Sequence, residues 1–354
     1  MKKQNVTISD IAAAAGVSLS TAHLALSGKP GIRPKTKARV LEQARRMDYH
    51  CNAVASSLKR GETRIAAVLP ARDAGSTMFY EPIWEGIRDY CESVRDFQIH
   101  LTELPYQSLG TVSVPSQAVE RLRSEQKLAG AVMLGALMPE AKEVLRELLP
   151  LPIVLVNGDA LESGRICCVQ AENYLLGRTM GELLLLRMQK PGGILVCAGD
   201  RSTSADREAV DGLEDYLAGV PSGCELHKIY HQNDLEGLYQ RLIDTLLHTP
   251  DLQGCCSMTA RGSLQLAKAL KATGLAGNLC AIGSDAFPEN IRNLKNGIFQ
   301  NLMFKNPYRQ GWVAAEQLFK HIFSRSTPES DVIRVKSEAI FRSSVQMYES
   351  GRRD

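Results

Sequence analysis

Several residues of this 354-residue chain combine useful side-chain chemistry with a position that could exploit it. Asn157 ends the run PIVLVN, Arg207 lies in the loop GDRSTSADR after GGILVCAG, and Asp285 ends LCAIGSD. Phe79 and Tyr80 follow the loop after the first apolar run, RIAAVLP. A guanidinium and a carboxylate each offer two-pronged hydrogen bonding, and an aromatic ring offers a flat apolar face. Together they suit a cleft for a small hydroxyl-bearing molecule; each alone reads equally well as a surface or capping residue. The nine cysteines lack metal-ligand spacing, and an odd number excludes a complete disulfide framework within one chain. Cys167-Cys168 and Cys255-Cys256 lie in the strand-like runs RICCVQ and QGCCSM, where buried reduced thiols are expected. His227 and His231 have the i, i+4 spacing of a helical metal pair. The run HKIYH favours a strand, however, and holds no Glu, so neither a metal nor a cofactor is expected.

A second set of residues lies near the N-terminus, in TISDIAAAAGVSLSTAHLALSG. Thr7 and Asp10 form a Thr-x-x-acid start signal for an Ala-rich helix. Gly16 sits where the chain needs an open conformation, Ser18 is placed to cap a second helix, and Val17 can pack back on Ile11 and Ala12. A third helix is expected from Pro34 to Met47, with Val40, Leu41, Ala44 and Met47 at helical spacing. This is helix-turn-helix order, in which the second helix enters the major groove of DNA. Residues 1 to 64 hold twelve Lys and Arg against four Asp and Glu, a net of +8, while the whole chain is +3. A basic head on a mildly acidic body fits a head that meets a polyanion. On charge alone, an ordinary basic surface is the alternative.

From Thr63 onward, strand-like apolar runs alternate with helical ones. Strands are expected at RIAAVLP, FQIHLTEL, GAVMLG, PIVLVN, GGILVCAG, ELHKIYH, GCCSMT and NLCAIGS. Helices are expected at 80–93, 119–126, 140–149, 173–188, 207–219, 235–248 and 263–273. Such alternation argues for two doubly wound lobes with parallel sheets, whose ligands bind at the carboxyl ends of strands. Hydrophobic content of 44% and charged content of 23% are ordinary for a globular protein, and no apolar run reaches membrane-spanning length. The start MKKQNVTISD has no apolar secretory core, so a cytoplasmic location and no membrane partner are expected. No Gly-x-x-x-x-Gly-Lys, Gly-x-Gly-x-x-Gly or Gly-x-Ser-x-Gly element occurs, and no catalytic residue is assigned; the chain is not expected to be an enzyme.

The stretch from Val6 to Gly61 resembles the DNA-binding domain of LacI/GalR bacterial transcription regulators. It shares their AxxAGVSxxT core, the SGKPG loop that includes Ser27, KTxxRV on helix three, and the Tyr49 and Asn52 that lead into a hinge. The resemblance implies that NAVASSLK, from Asn52 and Ala53 to Lys59, becomes helical over the operator centre. Leu58 would wedge between base pairs and Lys59 would follow towards the backbone; a plain linker is the alternative. It also implies that Leu19 and Ser20 read bases and that Ser18, Thr21 and Thr7 meet phosphates, with His23 reaching either. Leu24 stands where relatives often carry an Arg that reads guanine; leucine can only pack on a thymine methyl, so an altered half-site is expected.

The body is similar to periplasmic sugar-binding proteins. Arg207 matches the family's RxxG arginine, although Gly212 falls two positions late, and Asp285 matches the Asp of GxD. The family's Asn-Asp near Cys256 is replaced by Thr259-Ala260, which puts a standard monosaccharide in doubt. Thr259 thus joins Phe79, Tyr80, Asn157, Arg207 and Asp285 as an expected effector contact. The resemblance implies an all-α helix-turn-helix head (1–50), a hinge (51–62) and an α/β body (63–354). Lobe 1 is expected to take 63–170 and 301–330, and lobe 2 to take 171–300 and 331–348. It implies a repressor that binds a palindromic double-stranded operator as a homodimer and answers to a small polar effector, a sugar or related metabolite. With no heptad tail after EAIFRSSVQ, a dimer is favoured over a tetramer. A periplasmic-type binding protein without DNA specificity is the alternative.

Overall fold

The computed structural model describes residues 8–26, 31–47, 62–71, 77–106, 127–135, 150–231 and 234–349, with a few isolated positions besides. Thr7, Ser27 and the hinge residues Asn52, Ala53, Leu58 and Lys59 lie outside the described residues, as do half of 119–126 and most of 140–149. The chain divides into two compact units, 1–61 and 62–354.

In the first unit, α1 (Ile8–Ala14), α2 (Leu19–Leu26) and α3 (Pro34–Arg46) pack around Ile11, Ala12, Ala15, Ala22, Ala25, Val40 and Ala44. Five of these seven are alanines, which lets short helices cross closely around little core volume. Gly16 takes the left-handed φ of +58° that the α1–α2 turn requires, and the Val17 amide donates to the Ala12 carbonyl across it. Ser18 Oγ accepts from the Thr21 amide at 3.2 Å, so Ser18 does cap α2. Pro34 opens α3, where a first-turn amide is not needed, and Arg45 and Arg46 lie in its last turn, where cations suit the helix dipole.

The second unit holds two six-stranded sheets. Lobe 1 contains β1 (Thr63–Val68), β2 (Ile99–Glu103), β3 (Leu128–Leu134), β4 (Ile153–Val156), β5 (Cys167–Ala171) and β11 (Val332–Val335), in the order β11-β5-β4-β3-β1-β2. Its described helices are α4 (Thr77–Ser93) and α10 (Pro307–Ser324). Lobe 2 contains β6 (Gly193–Gly199), β7 (Glu225–Tyr230), β8 (Leu252–Ser257), β9 (Cys280–Ser284), β10 (Asn301–Phe304) and β12 (Glu338–Phe341), in the order β12-β10-β9-β8-β6-β7. Its helices are α5 (Asn173–Arg187), α6 (Ser204–Ala218), α7 (Leu235–His248), α8 (Ala260–Ala272), α9 (Pro288–Lys295) and α11 (Gln346–Glu349). All strand pairs are parallel except β10–β12. β4, β5, β6 and β9 are buried along their whole length, which is the continuous apolar pattern of strands covered on both faces.

The structure moves the expected lobe boundaries. β10 hydrogen-bonds to β9, so residues 301–304 stay in lobe 2 and the return crossing falls at 305–306. β11 pairs with β5, so 332–335 belong to lobe 1, and the last crossing lies between β11 and β12. Phe97 and Gln98 leave the expected second strand: Arg95–Phe97 is a 3-10 turn, and Gln98 closes it at φ 54°. HKIYH is a strand and its exit, so His227 and His231 are not helical neighbours. Among the described residues, no three His, Cys, Asp or Glu side chains are grouped to hold a metal ion, and no helix is long and apolar enough to cross a membrane.

The described cysteines are unbridged, and all except Cys224 are buried. Burial pushes the Cys197 thiol up to about 12 and Cys280 to about 11, and it drives Cys255 and Cys256 well above their ordinary value. Thiolate, the reactive form, is therefore scarce at these positions. With Ellman's reagent, Cys224 is expected to react first among them, and the sheet cysteines only after denaturant is added. Prompt native labelling of Cys197, Cys255 or Cys256 would contradict this packing.

Candidate functional site

The head offers the first surface. Leu19 is 54% exposed at the N-terminal end of α2, where a packed helix would hide it. Beside it, Ser18 Oγ lies 3.0 Å from Ser20 Oγ and 2.8 Å from Thr21 Oγ1. Three linked hydroxyls next to an exposed apolar side chain match a helix end that meets phosphates and base edges. Leu24 is half-buried on the same helix. The His23 side chain lies outside the described residues.

The body offers the second. Five strand ends of lobe 2 are tied together at its carboxyl edge. The His231 amide donates to the Gly199 carbonyl at 2.8 Å, and His231 Nε2 lies 3.4 Å from Thr259 Oγ1. Thr259 Oγ1 also accepts from the Gly262 amide at 3.0 Å and caps α8. Lys305, only 6% exposed, extends Nζ to the Met258 carbonyl at 2.5 Å, and its amide donates to Asp285 Oδ1 at 3.3 Å. Asp206 Oδ2 accepts from the Asp200 amide at 2.8 Å. Gly199 is needed at φ +77°, because an added Cβ would fall 2.3 Å from Asp206 Oδ2 and 2.9 Å from the Thr259 methyl.

Electrostatics centre on Lys305. Burial raises the carboxyls of Asp206 and Asp285 above their ordinary range, and the Lys305 charge opposes the rise at both. Lobe 1 faces this edge with Tyr80, whose ring meets Phe79 edge-on at 5.5 Å. The Tyr80 phenol is raised chiefly by burial, then by Asp206, while Arg261 lowers it. The lobe-1 phenol therefore lies in the field of two lobe-2 charges. Tyr106, at the exit of β2, is buried, and its hydroxyl has no hydrogen-bond partner among the described residues; it feels Tyr80.

Asn157 and Asp285 both end strands at positive φ, 55° and 68°. Short polar side chains bear that conformation better than others, and such strain collects where structure serves a site. Arg207 is placed differently from the rest. It is exposed, and its Nη1 donates to the carbonyls of Arg201 at 2.8 Å and Ser202 at 3.0 Å. Its neighbour Asp206 is the residue set among the cleft charges. Sequence reasoning missed Tyr106, Asp206, His231, Arg261 and Lys305. The strand-end rule that selected Asn157 and Asp285 would have selected His231 and Lys305 had β7 and β10 been followed to their last residues.

Two family models cover this arrangement. Residues 7–52 match the bacterial regulatory proteins of the lacI family, and residues 66–325 match the periplasmic binding protein domain. Over most of its length the chain belongs to the periplasmic binding protein domain family. It joins a head that matches the lacI family to a body that matches the periplasmic binding protein domain. Catabolite control protein A of Priestia megaterium is 37% identical over 24% of this chain and 25% of its own length. The protein of the same name from Staphylococcus xylosus is 25% identical over 65% of this chain and 66% of its own. The chain thus spans a quarter and just under two thirds of these relatives. The body's fold is that of an ABC-transporter solute-binding protein from Burkholderia graminis C4D1M, solved in complex with D-arabinose. The two share 20% identity and a TM-score of 0.70, over 80% of this chain and 96% of that one.

Proposed function

We propose that this chain is a cytoplasmic repressor of the LacI family that binds a palindromic double-stranded operator as a homodimer. A small polar effector, a sugar or related metabolite held between the lobes, sets its affinity for DNA. It works by binding, without a catalytic step. The observation that carries the reading is the pairing, in one chain, of the exposed Leu19–Ser20 surface with a closed polar edge gathered around Lys305.

Tyr80 and Asn157 from lobe 1, with Asp285 and Thr259 from lobe 2, are the effector contacts on this reading, together with Phe79 and with Arg207 once it leaves its own loop. Asp206, Arg261, Lys305 and Tyr106 join them. Effector that favours one lobe arrangement shifts the population of that arrangement, and with it the spacing of the two hinges. A coupling of about 1–3 kcal/mol changes operator affinity about 5- to 150-fold.

In vitro selection from random duplexes with the full-length protein tests the DNA half. Enrichment of a two-fold symmetric site is expected, and failure to enrich any sequence at low salt, where non-specific binding persists, would overturn it. On the selected site, Leu24→Ala is expected to weaken binding by about 1 kcal/mol, roughly fivefold, and to relax preference at one base pair.

A further inference from the structure

One helix of lobe 2 reaches across to lobe 1. Ser204 and Glu208 lie one turn apart on α6 and so share a face. Ser204 Oγ accepts from the Asp159 amide of lobe 1 at 3.0 Å, just beyond the end of β4. Glu208 meets the next two strands of the same sheet. Both of its carboxylate oxygens accept from Gln170 Nε2 of β5 at 3.0 Å, and Oε2 accepts from Arg334 Nη1 of β11 at 2.9 Å. Gln170 and Arg334 are direct partners in the β5–β11 register, so the sheet presents them side by side. Asp206, between Ser204 and Glu208 in sequence, points to the other side and joins the Gly199–Asp200 turn of the cleft.

We propose that Glu208 is a positioning residue that holds the two lobes in this arrangement, and that α6 carries the state of the cleft at Asp206 to that latch. Three features support the assignment. The bonds join groups from different lobes, next to two of the chain crossings, at 171–173 and 335–338. The Glu208 carboxylate is also the largest cause holding the Arg334 guanidinium above its ordinary value. Gln170 is buried and turns its amide hydrogens onto Glu208, which leaves its Oε1 without a partner among the described residues. The reversed amide would set Oε1 against a carboxylate, so the orientation follows from Glu208. An unsatisfied buried acceptor makes this arrangement costlier than it need be, as a reversible latch requires.

The inference rests on the reading of the body as a switch for the head, and its test separates the two. Spin labels attached through a non-cysteine handle at Glu92 of lobe 1 and Asp244 of lobe 2, both exposed, report the lobe-to-lobe distance in the full-length protein. Wild type is expected to give one dominant distance. Glu208→Ala and Arg334→Ala should each shift the ratio of that population to a longer one about fivefold or more. Glu208→Gln, which keeps an acceptor for Gln170, should fall between. The reversed pair Glu208→Arg with Arg334→Glu should restore the wild-type distribution if charge attraction is what holds the lobes. Distances unchanged in a folded Glu208→Ala or Arg334→Ala protein would overturn the proposal. A shifted distance with unaltered affinity for the selected operator would uphold the latch and sink the reading of the body as the control of the head.

Discussion

Lys305→Met is expected to cost the body about 3–5 kcal/mol, because it removes one partner from a buried set of charges. Lys305 is the cation that opposes the burial-driven rise of both Asp206 and Asp285, and its Nζ also satisfies the Met258 carbonyl. Methionine fills much of the same volume, so the loss reports charge more than packing. For a body of this size, that corresponds to roughly 10 °C in Tm by circular dichroism. The pH dependence checks the cause. A carboxyl raised in the folded state binds more protons there than in the unfolded chain, so its contribution is greatest at low pH and is lost as pH rises through the folded value. Without Lys305 both carboxyls rise further. The gap between wild type and variant should therefore widen from about pH 5 to pH 8, from near the unfolded Asp value of about 3.9 upward. A gap of equal size across that range would show that Lys305 does not serve as the counter-ion.

The same residue shows what a sequence reveals and what it hides. Strands and helices of the body were legible because the runs are long and strongly patterned, as in GGILVCAG and LEGLYQRLIDTLLH. Sheet membership was not. NLMF and VIRV are four residues each, and nothing local says that the first pairs with β9 and the second with β5. Reading 301–330 as a single return to lobe 1 removed Lys305 from the set of strand ends before its chemistry was considered. α9 was missed for another reason: PENIRNLK is short and mostly polar, and only Ile291 and Leu294 anchor its apolar side. At the cleft, the family motif drew attention to Arg207, while the structure turns that guanidinium onto its own loop and places Asp206 inward. One residue along a helix turns the side chain by about 100°, a distinction that motif spacing alone does not make.

Gly212→Ala is expected to destabilise lobe 2 by about 2 kcal/mol, although alanine favours helices more than glycine does. An added Cβ at Gly212 would sit 2.0 Å from the Tyr174 carbonyl oxygen, and one at Gly177 would sit 1.9 Å from that of Ala209. α5 and α6 thus cross backbone to backbone, with a glycine from each helix at the contact. The propensity gain on Gly→Ala is at most about 1 kcal/mol, whereas overpacking against backbone, which cannot rotate away, costs about 1–3 kcal/mol or more. The clash wins, and a measured stabilisation would refute the close crossing. Lobe 1 repeats the device: added Cβ atoms at Gly86 and Gly311 would lie 2.1 Å from the carbonyl oxygens of Tyr308 and Ile83, where α4 crosses α10. In lobe 2 the crossing has a second consequence, because α6 also bears Asp206 and Glu208. A helix held this tightly to α5 keeps its place in lobe 2 until a side chain is forced into the crossing. Forcing it outward by an ångström should lengthen the Glu208 bonds to Gln170 and Arg334 while the cleft residues of β8, β9 and β10 stay in place. Gly212→Ala is then expected to shift the lobe-to-lobe distance in the same direction as Glu208→Ala. The Gly311→Ala exchange should cost similar stability and leave that distance unchanged, because α10 bears none of the latch residues.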